Sequence, residues 1–277
     1  MDTEREKALA KIEKDIHRRE ISLDTRNEVA MANEMVLHCA CNLTLDELKI
    51  LRWIITNTKK NDQEFYEFTL SLKQIATILD INLKTKTLQK QIDKMTTHIM
   101  REVIALYNGE DFKKFHWVDI CEYRKGKVYI KIADALKPYL LNLRGSFTRY
   151  ELDEIIKLNS VYAIRIYEIL RSFMDDKNLP YADHSNEISI SMDVLRKATG
   201  TENKFKLNAD FKRKVIDIAV NEINRCSKYH VTAEPYKSGR AVAGFDFLIE
   251  SQAGYVIRQQ AAIDEQIEGQ MDITDFI

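Results

Sequence analysis

Proline and glycine are scarce: 3 Pro and 8 Gly in 277 residues leave little room for long irregular loops. No apolar run approaches the roughly 18 residues that a membrane-spanning helix needs. Residues 1–20 are densely charged with both signs and lack the apolar core of a signal peptide. The 4 Cys show no spacing that suggests a disulfide framework, so a reducing cytoplasm is the expected compartment. No Gly-x-x-x-x-Gly-Lys-Ser/Thr occurs, which excludes a P-loop ATPase. His38, His98, His116, His184 and His230 are scattered rather than paired. His38, Cys39 and Cys41 form the only local cluster of metal-ligand types, and Cys39 falls on an apolar face, which fits a core thiol better than a ligand. No catalytic residue, metal or cofactor is expected, and no enzymatic activity.

What the sequence does have is regular patterning. It is 45% hydrophobic and 31% charged, and it is long enough for two domains, each with its own core. Residues 27–40 read as a helix, with Val29, Met31, Met35, Val36 and Cys39 apolar. Thr44 is an expected N-cap, and Glu47 completes a capping box. The helix it opens carries Leu45, Leu48, Leu51, Ile54 and Ile55 at helical spacing. Residues 64–70 form a short aromatic strand. Ser71 opens another helix with Leu72, Ile75, Ile78 and Leu79 inward. Residues 84–100 give a third helix with Leu88, Ile92, Met95 and Ile99 on one side. The period then changes to two: 102–107, 112–123 and 127–132 read as strands, turned at Asn108-Gly109 and Lys125-Gly126. Helix, strand, helix, helix and hairpin is the order of a winged helix.

The second half repeats it. Residues 147–157 and 160–175 read as helices, the latter with Tyr162, Ile166, Ile169, Leu170 and Phe173 inward. A strand follows at 187–191, a short helix at 192–199 ended by Gly200, and a long helix at 208–227 with Asn208 as N-cap. Strands at 229–236 and 241–250 turn at Ser238-Gly239. Thr69-Leu70-Ser71-Leu72 aligns with Ser189-Ile190-Ser191-Met192, so one unit is duplicated at a spacing of about 120 residues. The expected fold is α+β: two tandem winged-helix domains related by internal duplication. The expected divisions are a charged N-terminal arm at 1–23, domain 1 at 24–145, domain 2 at 146–251 and an acidic tail at 252–277.

The net charge of −1 conceals segregation. Residues 259–277 carry five acids and no Lys or Arg, whereas 196–228 and 124–149 are basic. Opposite its apolar side, the 84–100 helix shows Lys86, Thr87, Lys90, Lys94 and Thr97. In the 208–227 helix the expected core face is Phe211, Val215, Ile218, Ala219 and Ile223. Opposite lie Arg213, Lys214, Asp217, Asn221 and Asn224, with Lys206 and Lys212 near the N-terminal end. The wings add Arg124, Lys125 and Lys127, then Lys237 and Arg240. Lys neutralises phosphate, while Arg suits guanine and Asn suits adenine, so the second helix carries the more specific set. Glu222 falls inward and reads as a buried hydrogen-bonding partner, with Arg165 a candidate mate.

Asn27-Glu28-Val29, Asn159-Ser160-Val161-Tyr162-Ala163-Ile164-Arg165-Ile166-Tyr167-Glu168-Ile169-Leu170, Asp193-Val194-Leu195-Arg196-Lys197 and Ala219-Val220-Asn221-Glu222-Ile223-Asn224 resemble the iteron-binding plasmid replication initiators. The resemblance covers about residues 22–250. It implies a bacterial cytoplasmic protein that binds double-stranded DNA at direct repeats of an origin, chiefly through its second domain. It also implies a dimer that represses its own gene and a monomer that opens the origin. The 112–123 strand carries more apolar surface than a free wing needs, so Phe115, Trp117, Val118 and Ile120 are the expected dimer interface; a two-sided strand packed inside its own domain is the other reading. Host helicase or its loader and the host initiator are implied partners. The end of the tail, 270–277 with Ile273, Phe276 and Ile277, resembles short peptides that dock on a sliding clamp; a merely solubilising tail is the other reading. A winged-helix transcriptional repressor without a replication role is the alternative function. Rolling-circle initiation, which needs a His-x-His metal pair, is excluded.

Overall fold

The computed structural model describes residues 18–39, 42–59, 61–81, 85–108, 110–174 and 185–274, with the backbone alone for 85, 86, 108, 185, 186 and 265–274. The chain divides into two compact units, Met1–Ile156 and Lys157–Ile277.

The first unit runs β1 (Arg18–Glu20), β2 (Glu28–Ala32), α1 (Asn33–His38), α2 (Leu45–Thr56), β3 (Glu67–Ser71), α3 (Leu72–Leu79), α4 (Thr85–Arg101), β4 (Val103–Asn108), β5 (Asp111–His116), β6 (Val118–Arg124), β7 (Lys127–Ile132), α5 (Lys137–Leu140), β8 (Phe147–Glu151) and α6 (Asp153–Ile156). The main sheet has the order β1-β3-β7-β6. Capping boxes start α2 and α3. The Thr44 hydroxyl accepts from the Glu47 N–H and the Glu47 carboxylate accepts from the Thr44 N–H; Ser71 and Gln74 repeat the exchange at α3. The β6–β7 turn places Lys125 and Gly126 at φ 49 and 77, the double left-handed pair of a tight hairpin.

Three expectations of secondary structure are corrected in this unit. Residues 27–40 are a strand and then a short helix: Val29 and Met31 are buried and Glu28 is exposed, an alternation of period two. The 147–157 helix is likewise β8 followed by α6, and β8 pairs antiparallel with β2, joining the two ends of the unit. With that pairing the first compact unit extends to Ile156. The 112–123 strand breaks at Trp117 into β5, which pairs with β4, and β6, which pairs with β7. The β4–β5 hairpin is thus an insertion between α4 and the wing. Within the expected N-terminal arm, residues 18–20 form β1, which pairs parallel with β3, and Arg19 holds Asp62 at 2.6 Å.

The second unit runs α7 (Val161–Phe173), β9 (Ser185–Ser191), α8 (Met192–Ala198), α9 (Asn208–Phe211), a π-helical turn (Lys212–Ile216), α10 (Asp217–Cys226), β10 (Tyr229–Ser238), β11 (Ala241–Ser251) and α11 (Gln252–Thr274). Its sheet order β10-β11-β9 repeats β6-β7-β3 of the first unit, so the duplication extends to topology. Ser191 caps α8 as Ser71 caps α3. Gly244 must lack a side chain, because a Cβ there would lie 2.2 Å from the Ile190 carbonyl oxygen and 2.5 Å from the Tyr236 ring. The buried Arg165 pairs with the buried Glu168, and its Nε donates to the Ala198 carbonyl at 2.9 Å, tying α7 to α8.

Glu222 is not the partner of Arg165. Its carboxylate accepts from the backbone N–H groups of Asn159 (2.6 Å) and Ser160 (3.1 Å), at the start of α7. Asn208 is not an N-cap: Leu207 occupies that position, and the Asn208 side chain accepts from Arg196 at 3.3 Å. The acidic tail is helical through Thr274; its base docks through Gln252, whose amide donates to the Asn224 and Tyr229 carbonyls, both at 2.8 Å.

Candidate nucleic-acid interface

In the first unit, α4 buries Leu88, Ile92, Met95 and Ile99 and exposes Thr87, Lys90, Lys94 and Thr97, as its spacing demands. The Lys86 side chain lies outside the described residues. A groove of about 550 Å³ runs between α4 and the wing, lined by Gln89, Lys90, Asp93 and Thr96 on one side and Cys121, Glu122 and Tyr123 on the other. Lys94 and Thr97 line a second groove, of about 770 Å³, together with residues of α2 and α3. Lys125 is exposed at the wing tip. Lys127 lies 3.5 Å from Glu20, and Arg124 lies 3.5 Å from Glu122 with its guanidinium 5.2 Å from the Tyr129 ring centre.

In the second unit, the α8–α9 turn is built around Arg196. Its Nη1 donates to the carbonyls of Thr201 (3.3 Å) and Lys204 (2.9 Å), and its Nη2 donates to the Phe205 carbonyl at 2.9 Å. Phe205 sits at φ 50, in the left-handed region, and its ring meets that of Tyr162 edge-on at 6.2 Å. This clamp presents Lys206 and Leu207 to solvent and delivers the chain into α9. Arg213 is 70% exposed and donates to Asp210 at 2.8 Å, with Lys214 3.6 Å from the same carboxylate. Both cations hold the Asp210 carboxyl below the usual carboxylate range, Arg213 chiefly by hydrogen bonding and Lys214 by its charge. Lys212 pairs with Asp217 at 2.7 Å. Asn221, Lys237 and Arg240 are exposed.

The π turn changes the face that the sequence spacing indicates. Ile216 takes the core place expected for Ile218, which is 40% exposed. Asn224 is not a free reader: its amide accepts from the Val231 N–H (2.7 Å) and donates to the Val231 carbonyl (2.9 Å), pinning α10 to β10. The missed signal is its place two residues before the helix end, beside a strand whose backbone needs partners.

Three of the four expected interface residues are interior. Phe115 is 8% exposed and stacks on Tyr139 at 5.7 Å; Trp117 and Val118 are 2% and 3% exposed. Only Ile120, 43% exposed, is available. The larger exposed apolar groups of the inserted hairpin are Val103, Tyr107 and Phe112, which the sequence reading did not single out. Cys39 is buried, consistent with a core thiol, while Cys41 and His184 lie outside the described residues. Among the described residues, no cluster of three or more His, Cys, Asp or Glu could hold a metal, and no helix is long and apolar enough to cross a membrane.

Two helix-turn-helix units, each with a basic wing and a cationic helix, define a tandem winged-helix DNA-binding protein. The chain belongs to the initiator replication protein family: residues 28–171 match the family model described as the WH1 domain of the initiator replication protein, and 191–249 match the WH2 domain of the initiator Rep protein. It is a DNA-binding replication initiator. A replication initiation protein of Escherichia coli is 21% identical over 226 residues, spanning 81% of this chain and 68% of that protein. The solved structure of the Pi initiator protein in complex with iteron DNA shares the fold, with a TM-score of 0.65 at 18% identity, covering 83% of this chain and 99% of that one.

Proposed function

We propose that this initiator binds direct repeats at a plasmid origin with both winged helices, opens the adjoining duplex and recruits the replisome, without covalent chemistry of its own. The observation that carries this reading is the paired arrangement of α4 and α9–α10, each beside a cationic wing and each exposing basic and amide groups. Lys90 and Lys94, with the Lys86 of the same helix, neutralise phosphates in the first unit, and Thr87 adds a hydroxyl donor. Arg124, Lys125 and Lys127 do the same on its wing, as do Lys237 and Arg240 on the second. Lys206, Lys212 and Lys214 position the second helix, where Arg213 and Asn221 read base edges. The solved Pi–iteron complex, of the same fold, supports the choice of repeated DNA.

The same chain acts as a dimeric repressor of its own gene in this reading. Exposed apolar groups on the inserted hairpin and on β6, Phe112 and Ile120 among them, support a homodimer through the first unit. Host helicase or loader, host initiator and sliding clamp are the replication partners. For the clamp, α11 carries Gln270 and Ile273, while Phe276 and Ile277 lie outside the described residues. The setting is the bacterial cytoplasm.

The test supplies the protein in trans to a plasmid that carries the DNA upstream of its gene and has no other initiator. Replication that needs both the protein and intact direct repeats is the expected result. Repression from an inverted repeat with no replication identifies a transcriptional repressor instead. In the same assay, Phe276→Ala lowers copy number if the tail engages the clamp and leaves it unchanged if the tail only solubilises.

A further inference from the structure

Ile218 stands on the solvent side of α10, 40% exposed, while Phe211, Val215, Ile216, Ala219 and Ile223 of the same helical segment are buried. The π turn puts it there. Its extra residue lets Val215 and Ile216 both enter the core, and the helix beyond resumes with its faces rotated. The Lys212–Asp217 pair, five residues apart and 2.7 Å in length, bridges the turn and holds it on the outside. Ile218 consequently lies between Arg213 and Lys214 on one side and Asn221 and Arg225 on the other, all exposed.

A branched apolar side chain in that setting gains nothing from phosphate or from groove water. The one apolar group that the major groove offers is the C5-methyl of thymine. We propose that Ile218 is a specificity-determining residue that reads a thymine methyl in the bound site, between the bases contacted by Arg213 and Asn221. This rests on the reading of α9–α10 as the base-reading helix. It makes part of the recognition independent of charge, because a methyl contact releases no counterion.

Replacing thymine by uracil removes the methyl and leaves every hydrogen-bonding edge in place, so the DNA can be varied without disturbing the protein. Each thymine of a bound repeat is changed to uracil in turn, and the dissociation constants of the parent and of Ile218→Ala are measured. The expected result is a loss of about fourfold for the parent at one or two neighbouring positions, the scale of one buried methyl. Ile218→Ala should bind the unmodified repeat about fourfold or more weakly. It should show no further loss with uracil at those positions, and its salt dependence should be unchanged. The proposal is overturned if uracil has no local effect on the parent, or if Ile218→Ala keeps the parent's uracil sensitivity. If the parent does not prefer the repeat to scrambled DNA, the assignment of the helix as a reader fails first, and the proposal with it.

Discussion

Replacing Arg196 by Met tests whether the turn before the second recognition helix is held from within. The guanidinium makes four hydrogen bonds, to the carbonyls of Thr201, Lys204 and Phe205 and to the Asn208 side chain, and lies 4.5 Å from the Phe211 ring centre. Methionine keeps the apolar stem and removes every donor. At a net ~1 kcal/mol for each bond, discounted because Arg196 is only half-buried, the loss is about 3 kcal/mol. The freed turn also loses its restraint on Phe205, whose left-handed backbone at φ 50 costs a non-glycine residue about 1–2 kcal/mol. The second unit should therefore unfold on the order of 10 °C earlier. Thermal unfolding followed by circular dichroism reads this, alongside DNA binding at several salt concentrations. Affinity should fall while the slope of log K against log salt stays the same, because no phosphate contact is lost. A variant as stable as the parent whose slope falls by about 0.9 would show that Arg196 contacts a phosphate, which would refute this account of the turn.

Asn224→Ala should destabilise by about 2 kcal/mol in urea titration, because it strips both hydrogen bonds from the Val231 backbone; a stable variant with altered base preference would restore Asn224 as a reader. Glu168→Ala leaves the buried Arg165 without its carboxylate and should cost about 3–5 kcal/mol by the same measurement, whereas a loss under about 1 kcal/mol would mean the pair is dispensable. Burial of His230, stacked 3.4 Å from the Tyr255 ring, holds its pKa below the ordinary 6.5; Arg258 adds to the shift and Glu250 opposes it. The unfolded chain therefore takes up this proton more readily. The stability contributed by the stack is full above about 6.5 and is lost as pH falls below it, so an NMR titration midpoint for His230 at or above 6.5 would contradict the packing of α11.

The helix starts and the strands of the two wings were legible because each is a local pattern, and the duplication because such patterns recur in the same order. Thr44 with Glu47 states a helix start in four residues, and Ser71 marks the next one, where the structure adds Gln74 as the reciprocal partner. The β2–β8 pair was not legible. Val29 with Met31, and Thr148 with Tyr150, alternate over too few residues to be told from a helix, and the two strands that justify each other lie more than 100 residues apart. The site was legible as a set of charges but not as a set of faces. Spacing alone extends an α-helix through 208–227, and nothing local signals the π turn that exchanges Ile216 for Ile218 in the core. Apolar strand content likewise gave no sign that Trp117 and Phe115 close their own unit while Phe112, 64% exposed, remains outside. Which apolar residues stay exposed is decided by tertiary packing, and composition does not carry it.

The central claim is that the second helix reads sequence while both units hold the backbone. Competition binding of the parent and of the Arg213→Ala, Asn221→Ala double variant tests it most directly. Each is measured on an origin repeat against scrambled DNA of equal length at about physiological salt. The account predicts that the parent prefers the repeat by about a thousandfold or more, and that the double variant loses most of this preference yet keeps its affinity for scrambled DNA to within about tenfold. Equal preference for the repeat in both proteins would contradict it.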